Sequence, residues 1–228
     1  MRPVWLILAA IVVVTAIVVG ITRHTNARQS NANGMASGRQ PARQTNYGKV
    51  YLLPMAEEDP QLMEALSSAI KESLGMGVDR LPATTPPRQA WDASRGQYNV
   101  FNILTEIDRN APTDATRVLG IVNDDIYTPE LNFVFSQGVL NRRPAIVSTY
   151  RLKQGVYGAV NHKLLVERTT KTAVKALAFS LGVQSCQDRR CIMVFANNMA
   201  ELDRKSNQFC PTCAQALESA LKRQFPAR

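Results

Sequence analysis

The residues best suited to chemistry in this chain are its four cysteines, which fall into two close pairs. Cys186 and Cys191 form a C-x4-C unit, and Cys210 and Cys213 form a C-x2-C unit after eighteen intervening residues. Two such pairs, brought together by a turn-rich loop, build a tetrahedral four-thiolate zinc site in which each pair spans one edge. The spacing therefore predicts one structural zinc ion held by these four sulfurs.

Other uses of the same cysteines stay open at the level of sequence. Two disulfides are the alternative if the domain is exported, because an oxidising compartment favours them. Four buried free thiols, or thiol redox chemistry at the C-P-T-C unit, are further alternatives. A structural zinc would contribute about 10–16 kcal/mol to the folding of a small module, and here it would hold the C-terminal loop in place.

A helix is predicted just before the first cysteine pair. Residues 167–182 contain no glycine or proline before Gly182. Apolar side chains recur in this segment at spacings of three and four residues, at Val174, Leu177, Ala178 and Leu181. That period predicts a buried amphipathic helix, and a glycine is typical of the position just after a helix C-terminus.

The segment that holds this helix and the cysteines resembles the zinc-binding core of the archaemetzincin metallopeptidases. That family carries H-E-x-x-H-x-x-G-x-x-H-C, followed by x4-C-x-M and a later C-x-x-C, with R-x-x-K ahead of them. Eight residues of this chain are in register with that pattern: Arg168, Lys171, Gly182, Cys186, Cys191, Met193, Cys210 and Cys213. The resemblance implies that the cysteines are structural zinc ligands and that Met193 underlies the position of the family's active site.

The same comparison predicts that the catalytic metal site has been lost. Four positions, called the degenerate positions below, hold other residues: Lys175 and Phe179 for the first two histidines, Ala176 for the general-base glutamate and Ser185 for the third histidine. A zincin needs two imidazoles one helical turn apart and a glutamate that takes a proton from the bound water. The chain has only two histidines, His24 and His162, so it cannot assemble a three-histidine site. Ala176 and Phe179 are predicted to fill the former metal cavity.

The resemblance extends upstream and implies an α+β fold, a metzincin-like mixed sheet packed with helices, over residues 47–228. Residues 48–54 are predicted to form the first strand, and residues 95–98 to open a helix. Asp59 and Pro60 are predicted to begin another helix. One face of that helix is apolar, formed by Leu62, Leu66, Ile70 and Leu74.

In metzincins an edge strand above the active-site helix pairs with an extended peptide substrate. Residues 131–137, or a neighbouring strand, are candidates for that role, and an ordinary strand with a blunted edge is the alternative. Asp124 and Asp125 are predicted to start a turn rather than to form an acid/base pair. Asp203 and Lys205 also match the family pattern and are predicted to shape the zinc loop.

The N-terminal residues 3–22 carry no charged side chain and are rich in valine, isoleucine, leucine and alanine. Twenty helical residues span about 30 Å, the thickness of a bilayer core. Residues 1–22 are therefore predicted to be a transmembrane helix, residues 23–46 a polar flexible linker and residues 47–228 the zinc-binding domain. A cleaved signal peptide is the alternative, although its apolar part usually has about 7–15 residues.

The formal charge of +9 does not predict a nucleic-acid partner. Five of the 27 basic residues precede residue 47, which leaves 22 basic against 18 acidic residues, or +4, for the domain. The excess lies beside the predicted anchor, where anionic headgroups are the simpler partner. Arginines flank the apolar run on both sides, so the charges favour a cytoplasmic domain only weakly, while an N-terminal anchor commonly exports the domain attached to it. The sequence leaves the side open.

These features predict a single-pass, membrane-anchored archaemetzincin-like protein with one structural zinc ion and no peptidase activity. Its role would be to bind an extended peptide or protein partner, or to regulate a catalytic relative. The alternative is a zinc-dependent metallopeptidase with a remodelled active site. Metal content separates the two, because a hidden catalytic site would require a second zinc ion per chain.

Overall fold

The computed structural model describes residues 47–57, 59–155, 158–159 and 161–226. The predicted membrane anchor (residues 1–22) and linker (residues 23–46) lie outside the described residues, so both stay predictions. Within the described ranges, no helix has the length and apolar character that crossing a bilayer requires.

Helices pack against a mixed five-stranded sheet in this part of the chain. Its strands run in the order β2-β1-β5-β8-β7, and neighbours are parallel except for β7, the antiparallel edge strand. The ten strands of the described residues are β1 (Lys49–Pro54), β2 (Gly77–Arg80), β3 (Trp91–Asp92), β4 (Gln97–Asn99), β5 (Ala115–Val122), β6 (Ile126–Tyr127), β7 (Ser136–Gly138), β8 (Pro144–Ser148), β9 (Gln154–Gly155) and β10 (Gly158–Ala159). Their helices are α1 (Pro60–Leu74), α2 (Val100–Arg109), α3 (His162–Ser180), α4 (Met199–Arg204) and α5 (Pro211–Gln224). The predicted mixed sheet with helices is confirmed.

The sheet separates two apolar clusters because successive side chains of a strand point to opposite faces. Leu119 of β5 packs on one face with α1 and α3, whereas Val118 packs on the other face with α2. Both central strands β5 and β8 are therefore buried on both sides, as expected for parallel strands covered by helices. This layering places α3 directly beneath the β7 edge of the sheet.

The start of α1 confirms the predicted capping. The carboxylate of Asp59 accepts a hydrogen bond of 2.9 Å from the backbone N–H of Gln61, and Pro60 occupies the first helical position. Every residue of the predicted apolar face is buried: Leu62, Leu66, Ile70 and Leu74. The first strand is also confirmed, from residue 49 to residue 54.

Two predicted elements differ from the structure. Residues 95–98 do not open a helix, because Asp92 closes a turn by accepting hydrogen bonds from the backbone of Ser94 and Arg95, and β4 then pairs with β6. The helix α2 begins only at Val100. The strand predicted over residues 131–137 is confined to β7, and residues 131–135 precede it as a loop.

Candidate peptide-binding cavity and metal centre

The four cysteines converge on one point. Their sulfur atoms all lie within 4.8 Å of one another, and the Sγ atoms of Cys186 and Cys210 are 3.8 Å apart. Sulfurs placed about 2.3 Å from a central zinc ion in a tetrahedron lie about 3.8 Å from each other. A disulfide would instead bring two sulfurs to about 2.05 Å, and all four cysteines are free. The arrangement fits the predicted zinc site.

Backbone geometry fixes these sulfurs in place. Cys191 accepts hydrogen bonds at its Sγ from the backbone N–H groups of Met193 and Cys210, at 3.4 and 3.3 Å. Cys210 immediately precedes α5, and Pro211 follows at the first helical position. Helix α5 was not among the predicted elements, although a proline inside the C-P-T-C unit is typical of a helix start. Burial raises the pKa of the Cys191 thiol, whereas the backbone N–H of Cys213 lowers the pKa of the Cys210 thiol.

An ion pair joins α3 to the loop between the cysteine pairs. Arg168 is 4% exposed, and its guanidinium donates to both carboxylate oxygens of Asp203 in α4, at 2.7 and 2.6 Å. The same guanidinium donates to the backbone oxygens of Leu152 and Gln154. Such two-point arginine–carboxylate pairs fix orientation as well as distance. Asp203 thus holds the zinc loop against α3, in the role predicted for it.

Two buried lysines strengthen the same junction. Lys171 forms an ion pair of 2.9 Å with Glu167 and donates to the backbone oxygen of Lys205 at 3.1 Å. Lys205 is 3% exposed and donates to the backbone oxygen of Ile192 at 3.0 Å. Burial lowers the pKa of Lys205 to about 7, and the ammonium groups of Lys175 and Lys171 lower it further by repulsion. Lys205 therefore supports the zinc loop from its buried side.

A cavity of about 390 Å³ lies between α3 and the β7 edge. All four degenerate positions line it: Lys175, Ala176, Phe179 and Ser185. Residues 131–138 form the opposite wall, and residues 195–197 and Lys205 complete it. The prediction that Ala176 and Phe179 fill the former metal cavity is therefore wrong. A polar network without any metal ligand fixes one of its walls.

That network fastens the wall formed by residues 131–135. Arg151 pairs with Asp125 at 2.7 and 2.6 Å, and its guanidinium lies 4.0 Å from the ring centre of Phe133. Gln97 donates from one amide nitrogen to Asp125 and to the backbone oxygen of Asn132, both at 2.9 Å. The carboxylate of Asp125 therefore holds this wall in place. That role agrees with the predicted turn and not with an acid/base pair.

The edge strand β7 leaves main-chain groups unpaired by the sheet. Phe135 accepts from the N–H of Ser148 at 2.9 Å, and Val139 donates to Pro144 at 3.3 Å, so these residues face β8. Since antiparallel pairing alternates between neighbouring residues, the main-chain groups of Ser136 and Gly138 point away from β8. They lie along the wall of the cavity. The edge that the sequence predicted for an extended peptide is present, but it is only three residues long.

Close packing holds β7 against α3. The hydroxyl of Ser136 donates to the backbone oxygen of Thr172 at 3.0 Å. A Cβ atom at Gly138 would lie only 2.3 Å from the backbone oxygen of Ala176. Glycine is therefore required at the point where the strand crosses the helix. Gly138 was not predicted from the sequence, because its requirement arises from an approach between segments distant in the chain.

Lys175 is the charged member of the degenerate positions. Its side chain is half-buried in the cavity wall, and Nζ lies 5.0 Å from the ring centre of Phe195. Burial lowers the pKa of Lys175 to about 8. Over the described ranges, neither Lys175 nor Lys205 forms an ion pair with an aspartate or glutamate.

Comparison with known proteins decides the family. The sequence pattern described as Peptidase family M54 matches residues 86–219, which is more than half of the 228-residue chain. This chain belongs to peptidase family M54. The predicted resemblance to archaemetzincins is therefore confirmed.

Individual M54 relatives match over nearly their whole length. The archaemetzincin of Methanocaldococcus jannaschii is 32% identical over 171 residues, covering 75% of this chain and 93% of the relative. The crystal structure of the Methanopyrus kandleri archaemetzincin aligns with 31% identity and a TM-score of 0.70, covering 81% of this chain and 99% of that one. The Archaeoglobus fulgidus archaemetzincin, complexed with malonate, aligns with 32% identity and a TM-score of 0.63, covering 73% and 98% of the two chains.

Of the two metal sites considered from the resemblance, the residues of this chain fit only the four-cysteine site. Within the described residues, the four cysteines are the only group of three or more His, Cys, Asp or Glu side chains close enough to hold a metal ion. The degenerate positions supply ammonium, methyl, phenyl and hydroxyl groups, so these residues do not fit a catalytic zinc ion. His162 begins α3 and contacts Asp59, and Lys175 lies thirteen positions further along the helix, a rise of about 20 Å. It cannot replace the missing ligands.

Proposed function

We propose that this protein is a non-catalytic member of peptidase family M54 that binds an extended peptide in the cavity between α3 and β7. One zinc ion, held by Cys186, Cys191, Cys210 and Cys213, would keep the loop beside the cavity folded. The observation that carries the proposal is that a cavity lies at the former catalytic position, beside a strand edge that no other strand of the described residues covers, while no set of metal ligands among those residues lines it.

The chemistry of the cavity wall supports the proposed loss of catalysis. Hydrolysis by a zincin requires a metal-bound water and a base that accepts its proton, and Ala176 supplies no base. Lys175 opposes the metal as well. A unit positive charge held about 4 Å from a divalent ion costs about 8 kcal/mol at an effective dielectric constant of about 20. These substitutions together support a binding role instead of hydrolysis.

Peptide binding is supported by the strand edge and by the apolar rim of the cavity. An extended peptide can add to an open edge through main-chain hydrogen bonds, while pockets beside the edge select alternate side chains. Phe195 and Leu131 line the cavity and are 48% and 39% exposed. Two large apolar side chains exposed on opposite walls provide surface that a ligand's side chains would cover.

Metal content and cleavage activity test the loss of catalysis. The full chain, purified in mild detergent, should contain one zinc ion per molecule by elemental analysis. It should cleave no member of a broad peptide library. Two zinc ions per chain, together with chelator-sensitive cleavage that substitution of Ser185 or Lys175 abolishes, would refute the proposal and favour a peptidase with a remodelled site.

We also propose that residues 1–22 anchor the protein in a membrane and that residues 23–46 tether the zinc-binding domain to it. Support comes from the uncharged, apolar run of residues 3–22, which is long enough to span a bilayer core. The full chain should stay with membranes after alkaline carbonate extraction, whereas a variant without residues 1–22 should not. A mature protein that begins after the apolar run would instead indicate a cleaved signal peptide. Protease protection of sealed vesicles would determine which side the domain faces.

A further inference from the structure

The cavity wall carries two lysine side chains, Lys175 and Lys205, that form no ion pair with an acidic side chain of the described residues. Lys171, on the neighbouring turn of α3, pairs with Glu167 at 2.9 Å. Lys175 has only the ring of Phe195 near its ammonium group, at 5.0 Å. Lys205 donates one hydrogen bond, to the backbone oxygen of Ile192, although an ammonium group has three donors. Both lysines line the cavity.

An ammonium group placed in a partly enclosed apolar site costs free energy unless an anion accompanies it. The pKa of Lys175 is lowered because burial disfavours its charged form. The apolar neighbours Phe179, Phe195 and Ala176 cannot offset it by hydrogen bonding. A ligand that brings a negative charge into this cavity would recover the cost, so the wall is complementary to an anion.

We propose that the cavity binds the free C-terminal carboxylate of an extended peptide, with Lys175 as its counter-ion and the amino group of Lys205 as a second hydrogen-bond donor. The inference rests on the proposed peptide-binding function and specifies which part of the peptide enters the cavity. The strand edge of Ser136 and Gly138 would pair with the residues that precede the carboxylate.

The position of Lys175 favours a main-chain carboxylate over an acidic side chain. Lys175 occupies the site of a ligand to the catalytic zinc in M54 peptidases, and such a zinc ion acts on a main-chain carbonyl of the substrate. A charge placed there therefore meets the ligand's main chain. The only negatively charged group of a peptide main chain is its C-terminal carboxylate, which is also the group that hydrolysis creates on the N-terminal product.

The length of the strand edge supports the same conclusion. Only two residues of β7, Ser136 and Gly138, present outward main-chain groups, and a paired peptide would displace the side-chain amide of Gln137, which donates to the backbone oxygen of Gly138 at 2.8 Å. Side chains of a paired peptide stand roughly perpendicular to the sheet, whereas a terminal carboxylate continues the line of the strand into the space beside it. A short edge followed by a positively charged cavity fits a peptide that ends there.

Two pools of random octapeptides, one with free carboxyl termini and one amidated, test the proposal against the full chain in detergent. Bound peptides are quantified by mass spectrometry, and affinities of enriched sequences are measured by fluorescence anisotropy. Amidation should weaken binding at least tenfold, because a charge-assisted hydrogen bond is worth more than a neutral one. Lys175→Met should remove this preference and Lys175→Arg should retain it. Lys163→Met, at an exposed site on the same helix, should bind like the unmodified protein.

The outcomes separate the two proposals. Equal binding of both pools would overturn the carboxylate anchor while leaving peptide binding intact, and binding of neither pool would overturn both. A preference for amidated peptides with aspartate or glutamate side chains would also refute the inference, because the charge would then come from a side chain. Complete displacement of the peptide by inorganic phosphate would identify a site for free anions instead.

Discussion

Replacing Lys175 with methionine measures the energetic cost of an ammonium group in the cavity wall. Burial lowers the pKa of Lys175 from its ordinary 10.5 to about 8. Each pKa unit corresponds to about 1.4 kcal/mol, so the charged form costs the fold about 3 kcal/mol at neutral pH. Losing the contact with Phe195 removes about 0.5–1 kcal/mol of cation–π attraction. The variant should therefore be about 2–3 kcal/mol more stable than the unmodified protein.

The gain should depend on pH with a defined sign. Because the unfolded chain binds the Lys175 proton more tightly than the folded chain, folding releases a proton between pH 8 and about 10.5. The full cost is present below pH 8 and disappears as the pH rises towards 10.5. The stability difference between Lys175→Met and the unmodified protein should therefore shrink over that range.

Urea unfolding, followed by fluorescence at neutral and at alkaline pH, measures this difference. Both proteins contain the same cysteines, so the contribution of cysteine titration to the free energy of unfolding cancels in the difference between them. Lys163→Met serves as the control, because an exposed substitution on the same helix should change stability by less than about 0.5 kcal/mol. A difference that does not vary with pH, or a less stable Lys175→Met variant, would refute the assigned burial cost.

Four further predictions concern the metal sites and the packing of α3. Restoring the family's histidines and glutamate at all four degenerate positions should raise the zinc content from one to two ions per chain by elemental analysis, since the cavity is still open. Cys213→Ser should release the structural zinc and lower the thermal midpoint, whereas an unchanged zinc content would argue against the four-cysteine site. Arg168→Met should cost about 1–3 kcal/mol in urea unfolding, because it removes the hydrogen bonds to the half-exposed Asp203 and leaves the backbone oxygens of Leu152 and Gln154 without their donor. Gly138→Ala should destabilise the fold by about 1–3 kcal/mol through overpacking against Ala176, and a neutral effect would contradict the close strand–helix contact.

Features that depend on neighbouring residues in the chain were predictable from sequence. The cap formed by Asp59 and Pro60, the apolar face of α1 and the spacing of the cysteine pairs all act over a few residues. The end of α3 is similar, since Gly182 has φ of +106° just beyond the helix. Each of these signals describes a local conformation, and the structure agrees with them.

Features that depend on distant partners were not predictable in the same way. Residues 95–98 form a turn and a strand because Asp92 and β6 offer partners that a linear pattern does not show. The short β7 and its glycine follow from the approach of α3. The open cavity depends on Arg151 and Gln97, which hold its wall from other parts of the sheet. The residue types at the degenerate positions, taken alone, therefore led to the prediction of a filled core. The structure has a cavity there instead.

None of the four cysteines lines the cavity, and Arg168 and Lys171 bind their loop to α3 without the help of any histidine. A scaffold arranged this way separates the ion that shapes the molecule from the ion that performs hydrolysis. Substitutions can then remove the ligands of the catalytic ion without unfolding the loop that the structural zinc holds. The cleft beside that loop is then available to bind a ligand. A hydrolase of this family could thus become a binding protein through four substitutions, three of them on α3 and the fourth, at residue 185, just beyond its end.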